Sequence, residues 1–259
     1  MDPTPDKRID RVLVATDLSA HGDRALARAA ALARGCGAAL AVVHAVERES
    51  AKAGAESLIR EQLADLPDSI ASEAAVRLGA GEAHEVIAAA ADDLEADLVV
   101  LGRHADEGIA DLFRGGTAEH VIRRVRGAVL LAQAPAAHVY RRVLVGMDFS
   151  TASRRALAVV SGLLPTAEVT LVHAGRPGAA DCDPLAETFP GVGHVIREGD
   201  SRSVLRQEVR DREADLLVIG SHGRAGIAYA LLGSVAEDLL RDPPCDVLVV
   251  KPVPKTGPV

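Results

Sequence analysis

The sequence predicts an α/β protein built as two tandem, doubly wound domains, each with a five-stranded parallel sheet, and two observations carry that prediction. The first is an internal repeat, the pattern to look for before any other. Arg11-Val-Leu-Val-Ala-Thr-Asp17-Leu-Ser19 returns 131 positions later as Arg142-Val-Leu-Val-Gly-Met-Asp148-Phe-Ser150. Val42-Val43-His44 matches Leu171-Val172-His173, and the run from Ala96 to Gly102 matches that from Ala214 to Gly220. The second is the alternation of short, unbroken apolar runs with longer helical patterns, which reads as βαβ units. A chain of 259 residues has room for two such copies. They are assigned to residues 1–135 and 136–259, joined near Ala134–Tyr140, where Pro135 and small residues suit a short connection.

In the first copy the strands are expected at Val12–Ala15, Ala38–Ala45, Ala74–Leu78, Leu98–Leu101 and Ala128–Ala132. Apolar runs this unbroken belong to strands covered on both faces, hence to a parallel sheet. Ser19 is placed to cap a helix over Ala20–Arg34, with Gly35 as its stop, and Gly81 precedes a helix over Glu82–Leu94. Glu47–Leu66 has a helical pattern. In the second copy the spacing is 11 residues shorter between His173 and Gly199, and glycine and proline dominate what remains, so a loop is expected there. The last strand-like run is Asp246–Val250, and a helix is expected over Val235–Arg241.

Composition narrows the function. Hydrophobic residues make up 48% and charged residues 25%, the profile of a globular chain with a sizeable core. Aromatics are 2% and the formal charge is -8. Base-stacking platforms and a basic face, the two needs of nucleic-acid binding, are both lacking. The polar start Met1–Asp6 reads as no secretory signal, no apolar run approaches a membrane span, and Cys36, Cys182 and Cys245 lie too far apart for a CxxC pair. A cytoplasmic, soluble protein is expected.

The chemistry concentrates in Gly220-Ser221-His222-Gly223, nine further residues, then Gly233-Ser234-Val235-Ala236. Gly220 ends a buried strand, and Gly223 lets the backbone turn and approach a ligand without a Cβ in the way. Gly233-Ser234 opens a helix, whose free N–H groups and dipole favour an anion. Together these make a phosphate cradle at the end of the fourth strand of the second copy. The first copy departs from it, with Ala105 where Gly223 stands and Gly116 where Ser234 stands. Its loop Arg103–Arg114 carries net charge -1, against +1 for Ser221–Leu232, where Arg224 is the charged residue. Residues 1–135 carry net charge -7 and residues 136–259 carry -1. An anionic nucleotide should prefer the second copy.

With Gly220, Gly223, Gly233 and Ser234 spaced this way, Asp148 after the first strand and duplication of a unit of about 130 residues, the chain resembles tandem members of the universal stress protein family. The resemblance runs from about Ile9 to Val253 and implies strand order 3-2-1-4-5. It implies an ATP-binding regulatory or stress-response module, with ATP, alone or with Mg, as the ligand. Asp148 is implicated beside adenine and ribose, and Gly220, Gly223, Gly233 and Ser234 at the phosphates, with Met147, Ser221, His222 and Val235 as neighbours. It also implies an intrachain pairing of Ala128–Ala132 with Asp246–Val250 in a pseudo-dimer, an adenine nucleotide and an unidentified protein as partners, and scope for a homodimer. A scaffold that binds no nucleotide, and a weak nucleotide hydrolase, are the alternatives.

Each residue also has a plainer role open to it. Asp17 and Asp148 suit helix capping. His44 and His173 end buried strands and read as structural, while His222 suits ligand contact and local hydrogen bonding equally. Cys182 with His173 and His194 resembles a metal set only loosely and reads as solvated loop. His84-Glu85 lacks the second His of HExxH. No P-loop, GxSxG elbow or GxGxxG turn is present, lysine occurs only at Lys7, Lys52, Lys251 and Lys255, none in the cradle, so the usual phosphate-activating Lys is missing, and no general base stands out. Binding without efficient turnover is the reading, with no catalytic residue assigned.

Overall fold

The computed structural model describes residues 8–103, 117–136, 138–176, 189, 191–222 and 232–252. They form two compact units, divided between Val139 and Tyr140. The first contains β1 (Arg11–Ala15), β2 (Ala39–Val46), β3 (Ala75–Ala80), β4 (Leu98–Gly102) and β5 (Ala128–Ala132), all parallel, in the order β3-β2-β1-β4-β5. The second contains β6 (Arg142–Gly146), β7 (Glu168–Ala174), β8 (Gly193–Arg197), β9 (Leu216–Gly220) and β10 (Asp246–Val250), in the order β8-β7-β6-β9-β10. Each unit is therefore wound outward in both directions from its first strand. The reversal leaves a crevice at the carboxyl ends of β1 and β4, and of β6 and β9, where ligands of such sheets bind.

The unbroken apolar runs are central strands. Val12, Leu13 and Val14 are each at most 1% exposed, so successive residues, which point to opposite faces, are all covered. β3 departs from that expectation, being half exposed at the sheet edge.

α1 spans Ala20–Cys36 and is capped by Ser19, whose side chain accepts from the N–H groups of His21 and Gly22. It does not stop at Gly35. The stop is Gly37, whose φ of 69° is a left-handed conformation that costs an L side chain energy. A Cβ on Gly35 would meet nothing within 4 Å. Gly35→Ala should therefore raise stability by about 0.5–1 kcal/mol, and Gly37→Ala should lower it by about 1 kcal/mol, both readable from urea unfolding curves.

Between β2 and β3 lie a 3-10 turn (Glu49–Ala51), α2 (Lys52–Ala64) and α3 (Asp68–Ala71). α4 (Ala83–Asp93) and α5 (Thr117–Arg124) complete the first unit, and α6 (Thr151–Leu163), α7 (Ser201–Asp211) and α8 (Ser234–Arg241) belong to the second. The loop expected between His173 and Gly199 falls largely on residues 177–188 and 190, outside the described residues. No helix among the described residues is long and apolar enough to cross a membrane.

The structure also explains the repeated Ala-Asp-Leu segments. The Asp97 carboxylate accepts from the N–H groups of Asp10 and Arg11 at 2.9 and 3.0 Å. Asp215 does the same for Arg141 and Arg142 at 2.8 and 3.1 Å. These carboxylates satisfy backbone donors at the amino ends of β1 and β6, the end opposite the crevice, so this part of the repeat serves the fold. The connecting segment is also fixed: buried Arg28 of α1 donates to the carbonyls of His138 and Pro135 at 2.7 and 3.2 Å.

Candidate functional site

In the second unit three segments meet at the carboxyl ends of β6 and β9: the turn Met147–Ser150, the residues Gly220–His222, and the start of α8. The turn is strained, with Phe149 at φ 65°, and its counterpart Leu18 in the first unit has φ 64°. Asp148 holds the strained turn in shape. One of its carboxylate oxygens accepts from Ser150 N–H at 3.0 Å and from Ser150 Oγ at 2.6 Å, and Ser150 Oγ in turn accepts from Ser153 N–H at 3.2 Å, capping α6. Asp17 and Ser19 repeat the arrangement at 3.0 and 2.7 Å. The cap is thus the serine, and the aspartate orients it.

Met147 is 2% exposed and its sulfur lies 3.4 Å from Ser153 Oγ, so its side chain is core. His173 is buried as well. Its Nδ1 lies 2.6 Å from the Met147 carbonyl, and its ring packs on Phe149 with centroids 5.2 Å apart. A carbonyl only accepts, so in the neutral ring Nδ1 carries the proton.

Gly220 has a different reason for being glycine than an approaching ligand. A Cβ there would lie 2.8 Å from Ala152 Cβ and 3.0 Å from Ser153 N, so glycine is what lets the first turn of α6 pack on the end of β9. Gly102 plays the same part against the carbonyl oxygen of His21, at 2.8 Å. Ser221 is buried and fixed three ways: its N–H donates to Val250, its carbonyl accepts from Gly233 N–H at 2.8 Å, and its hydroxyl lies 2.8 Å from His222 Nδ1. The bond from Gly233 brings the start of α8 back to the end of β9. Gly223 lies outside the described residues.

α8 differs from its neighbours in how it begins. α6 is capped by Ser150 and α7 by Asp200, whereas Gly233 offers no side-chain cap and Ser234 stands exposed at the first helical position. Beside it, His222 Nε2 is buried without a hydrogen-bond partner among the described residues. Burial pushes the His222 imidazole below its ordinary range, and the Lys251 ammonium adds to that.

Lys251 is the residue that reading the motif alone missed. It follows β10, is buried, and its own carbonyl accepts from Arg155 of α6 at 2.6 Å. No sequence spacing ties it to Gly220, because the tie is the pairing of β9 with β10. Burial pushes its ammonium down to about 8. The folded state therefore releases this proton before the unfolded state does, so stability rises between about pH 8 and the ordinary lysine range. Removing the charge with Lys251→Met should stabilise the protein at pH 7, by about 1–2 kcal/mol, less than the full shift because the ammonium keeps part of its water. Unfolding curves at pH 7 and above pH 10 should show that gain shrinking as the wild-type lysine becomes neutral in both states.

The described thiols are poor nucleophiles: burial pushes Cys36 up and Cys245 up to about 12. Cys182 lies outside the described residues, and among those described no group of three or more His, Cys, Asp or Glu side chains could hold a metal.

The first unit holds a cavity of about 300 Å³ at the carboxyl ends of β1, β2 and β4, bordered by the starts of α4 and α5. Thr16, Asp17, His44 and Thr117 supply its polar lining. Gly22 borders it as well, and a Cβ there would lie 2.6 Å from both Asp17 Oδ1 and Thr16 Oγ1. The motif had not marked Thr16, Gly22 or His44, since the cavity is assembled from separate strand ends.

Comparison with known proteins agrees with this architecture. The model of the universal stress protein family matches residues 8–133 and 178–251. A universal stress protein from Mycolicibacterium smegmatis is 28% identical over 188 residues, covering 61% of this chain and 62% of that one. The universal stress protein E homolog of Haemophilus influenzae is 37% identical over 60 residues, 23% of this chain and 19% of that relative. The aligned stretches thus span less than two thirds of these curated relatives. The crystal structure of a universal stress protein from Archaeoglobus fulgidus superposes with a TM-score of 0.74 at 19% identity, covering 95% of this chain and 98% of that one, which establishes the likeness of fold. A Pseudomonas aeruginosa protein of unknown function does so with a TM-score of 0.70 at 18% identity, covering 94% and 93%. With both halves of the sheet architecture and most of the chain matched, the protein belongs to the universal stress protein family.

Proposed function

We propose that this protein is an ATP-binding regulatory module of the stress response, with the nucleotide held in the second unit. The observation that carries the reading is the start of α8. Its first N–H groups have no side-chain cap, and the Gly233–Ser221 hydrogen bond places them at the carboxyl end of β9. An uncapped helix start at the switch point of a parallel sheet suits an anion.

The residues present fit a phosphate chain. His222 Nε2 has no hydrogen-bond partner among the described residues, and in the tautomer whose Nδ1 accepts from the Ser221 hydroxyl, Nε2 carries a proton that a phosphate oxygen would accept. Ser234 adds an exposed hydroxyl, Val235 and Gly233 add backbone at the same turn, and Gly223 is assigned beside them by the motif. Asp148 stands at the far side, at the end of β6, where it would accept from a base or ribose. Mg, where it accompanies ATP, would offset phosphate charge. The ligand's role here is occupancy rather than rapid turnover, and steady-state hydrolysis at about 1 per second or faster would contradict that part of the reading.

The test is equilibrium dialysis of the purified chain against labelled ATP, together with identification of any nucleotide released when freshly purified protein is denatured. ATP bound and adenine nucleotide released is the expected result. A chain that binds no ATP and releases none would favour the partner-binding scaffold instead.

A further inference from the structure

We infer that Lys251 is a phosphate-binding residue of the second unit, its ammonium pairing with the ligand's phosphate chain although it lies outside the glycine motif. The inference rests on the nucleotide reading of that unit and adds to it a residue from another strand.

The placement comes from the sheet. β9 and β10 run parallel with Val250 opposite Gly220, and Ser221 N–H continues the ladder by donating to the Val250 carbonyl at 2.9 Å. Lys251 therefore stands level with Ser221, at the carboxyl ends of the strands, where the crevice opens. Arg155 of α6 donates to the Lys251 carbonyl at 2.6 Å, so the side chain starts from a held backbone. α8 packs against β10 and opens without a side-chain cap. His222 Nε2 is buried with no hydrogen-bond partner among the described residues, and Lys251 is near enough that its charge disfavours protonation of that ring. A helix start, an imidazole and an ammonium thus share one end of the sheet. The ammonium and the positive end of the helix dipole repel each other, and an anion beside them relieves both.

Lys251 is 8% exposed, and burial rather than a neighbouring charge holds its ammonium down at about 8. Groups perturbed by burial in this way cluster at functional sites. The charged groups on the elements packed around it are Arg154 and Arg155 on α6, His222 after β9, Asp246 at the other end of β10, and Glu237, Asp238 and Arg241 on α8. Of these, Arg154 lies over the Phe149 ring and Asp238 is paired with Arg206 at 3.1 Å. The first copy is built differently at the same two places. Arg103 follows β4 where Ser221 follows β9, Gln133 follows β5 where Lys251 follows β10, and the guanidinium donates to the amide oxygen at 3.0 Å.

The experiment is calorimetric titration of the full chain with ATP, inorganic tripolyphosphate and adenosine, in the parent protein and in Lys251→Met. The variant should lose about 10–100-fold in affinity for ATP and for tripolyphosphate, and keep its affinity for adenosine, which brings no phosphate. Between pH 7 and pH 9 the parent protein should lose about 10-fold in ATP affinity. At pH 9 the unliganded lysine is mostly neutral and must take up a proton to bind, at a cost of about one factor of ten per pH unit above 8. The variant should show no such loss. ATP binding unchanged in Lys251→Met, adenosine weakened as much as ATP, or a parent affinity flat from pH 7 to pH 9 would each overturn the inference. Tripolyphosphate bound through Lys251 by a chain that binds no ATP would instead sink the nucleotide reading of the second unit and leave the role of this lysine standing, whereas a chain that binds neither would end both.

Discussion

A Ser234→Asp variant is expected to lose ATP binding by about 100-fold or more while remaining as stable as the parent protein. The two effects separate because one carboxylate meets two different fields. At the first position of α8 a negative charge faces the positive end of the helix dipole and N–H groups without a side-chain cap among the described residues, which favours it by about 0.3–1 kcal/mol. The same charge, placed about 5 Å from a bound phosphate, repels it by roughly 3 kcal/mol at the effective dielectric of a protein surface, and a factor of 100 corresponds to about 2.7 kcal/mol. Ser234→Ala, which removes only a hydroxyl, should cost less than about 10-fold. Fluorescence or calorimetric binding curves beside thermal melts provide both readouts. If Ser234→Asp binds ATP normally, the phosphates do not lie at α8.

A Gly220→Ala variant is expected to lose about 2–3 kcal/mol of stability whether or not nucleotide is present. The added Cβ would fall 2.8 Å from Ala152 Cβ and 3.0 Å from Ser153 N. Neither neighbour is the far end of a flexible side chain, so relief requires α6 to move off β9, and Ser150 caps that helix while being held by Asp148. Gly146→Ala is the control. Its Cβ would meet Ile219 and Leu205 methyl groups at 3.4–3.5 Å, an ordinary contact, and it should cost under about 1.5 kcal/mol. Urea midpoints for the two variants decide the matter. Equal stability with selective loss of ATP in Gly220→Ala would restore the simpler view of this glycine as an opening for ligand.

The contrast between these two residues shows how far the sequence could be read. Apolar runs such as Val12–Ala15 and Leu98–Leu101 were legible as central parallel strands because burial on both faces leaves an unbroken signature in one short stretch. The repeat was legible for the same reason, as local similarity at fixed spacing. What was not legible depends on segments distant in sequence. Gly220 is glycine because of Ala152, and Lys251 belongs to the site through the pairing of β9 with β10. The first-unit cavity exists because alanines from β1, β2, α4 and α5 happen to face one space. Gly35 looks like the stop of α1 in the sequence because composition does not reveal φ; the left-handed residue that ends the helix is Gly37. The loss of the Gly223 and Ser234 equivalents in the first copy falls on a loop outside the described residues, and it says nothing of the cavity at the strand ends.

The proposed division of labour between the two copies leaves one phosphate-binding site per chain, in the second unit. Calorimetric titration of the intact chain with ATP tests it most directly through the stoichiometry. The predicted result is one ATP per chain, abolished by Ser234→Asp and untouched by Ala83→Phe, which fills the first-unit cavity. Two ATP per chain, or a single ATP lost on Ala83→Phe and retained in Ser234→Asp, would contradict it.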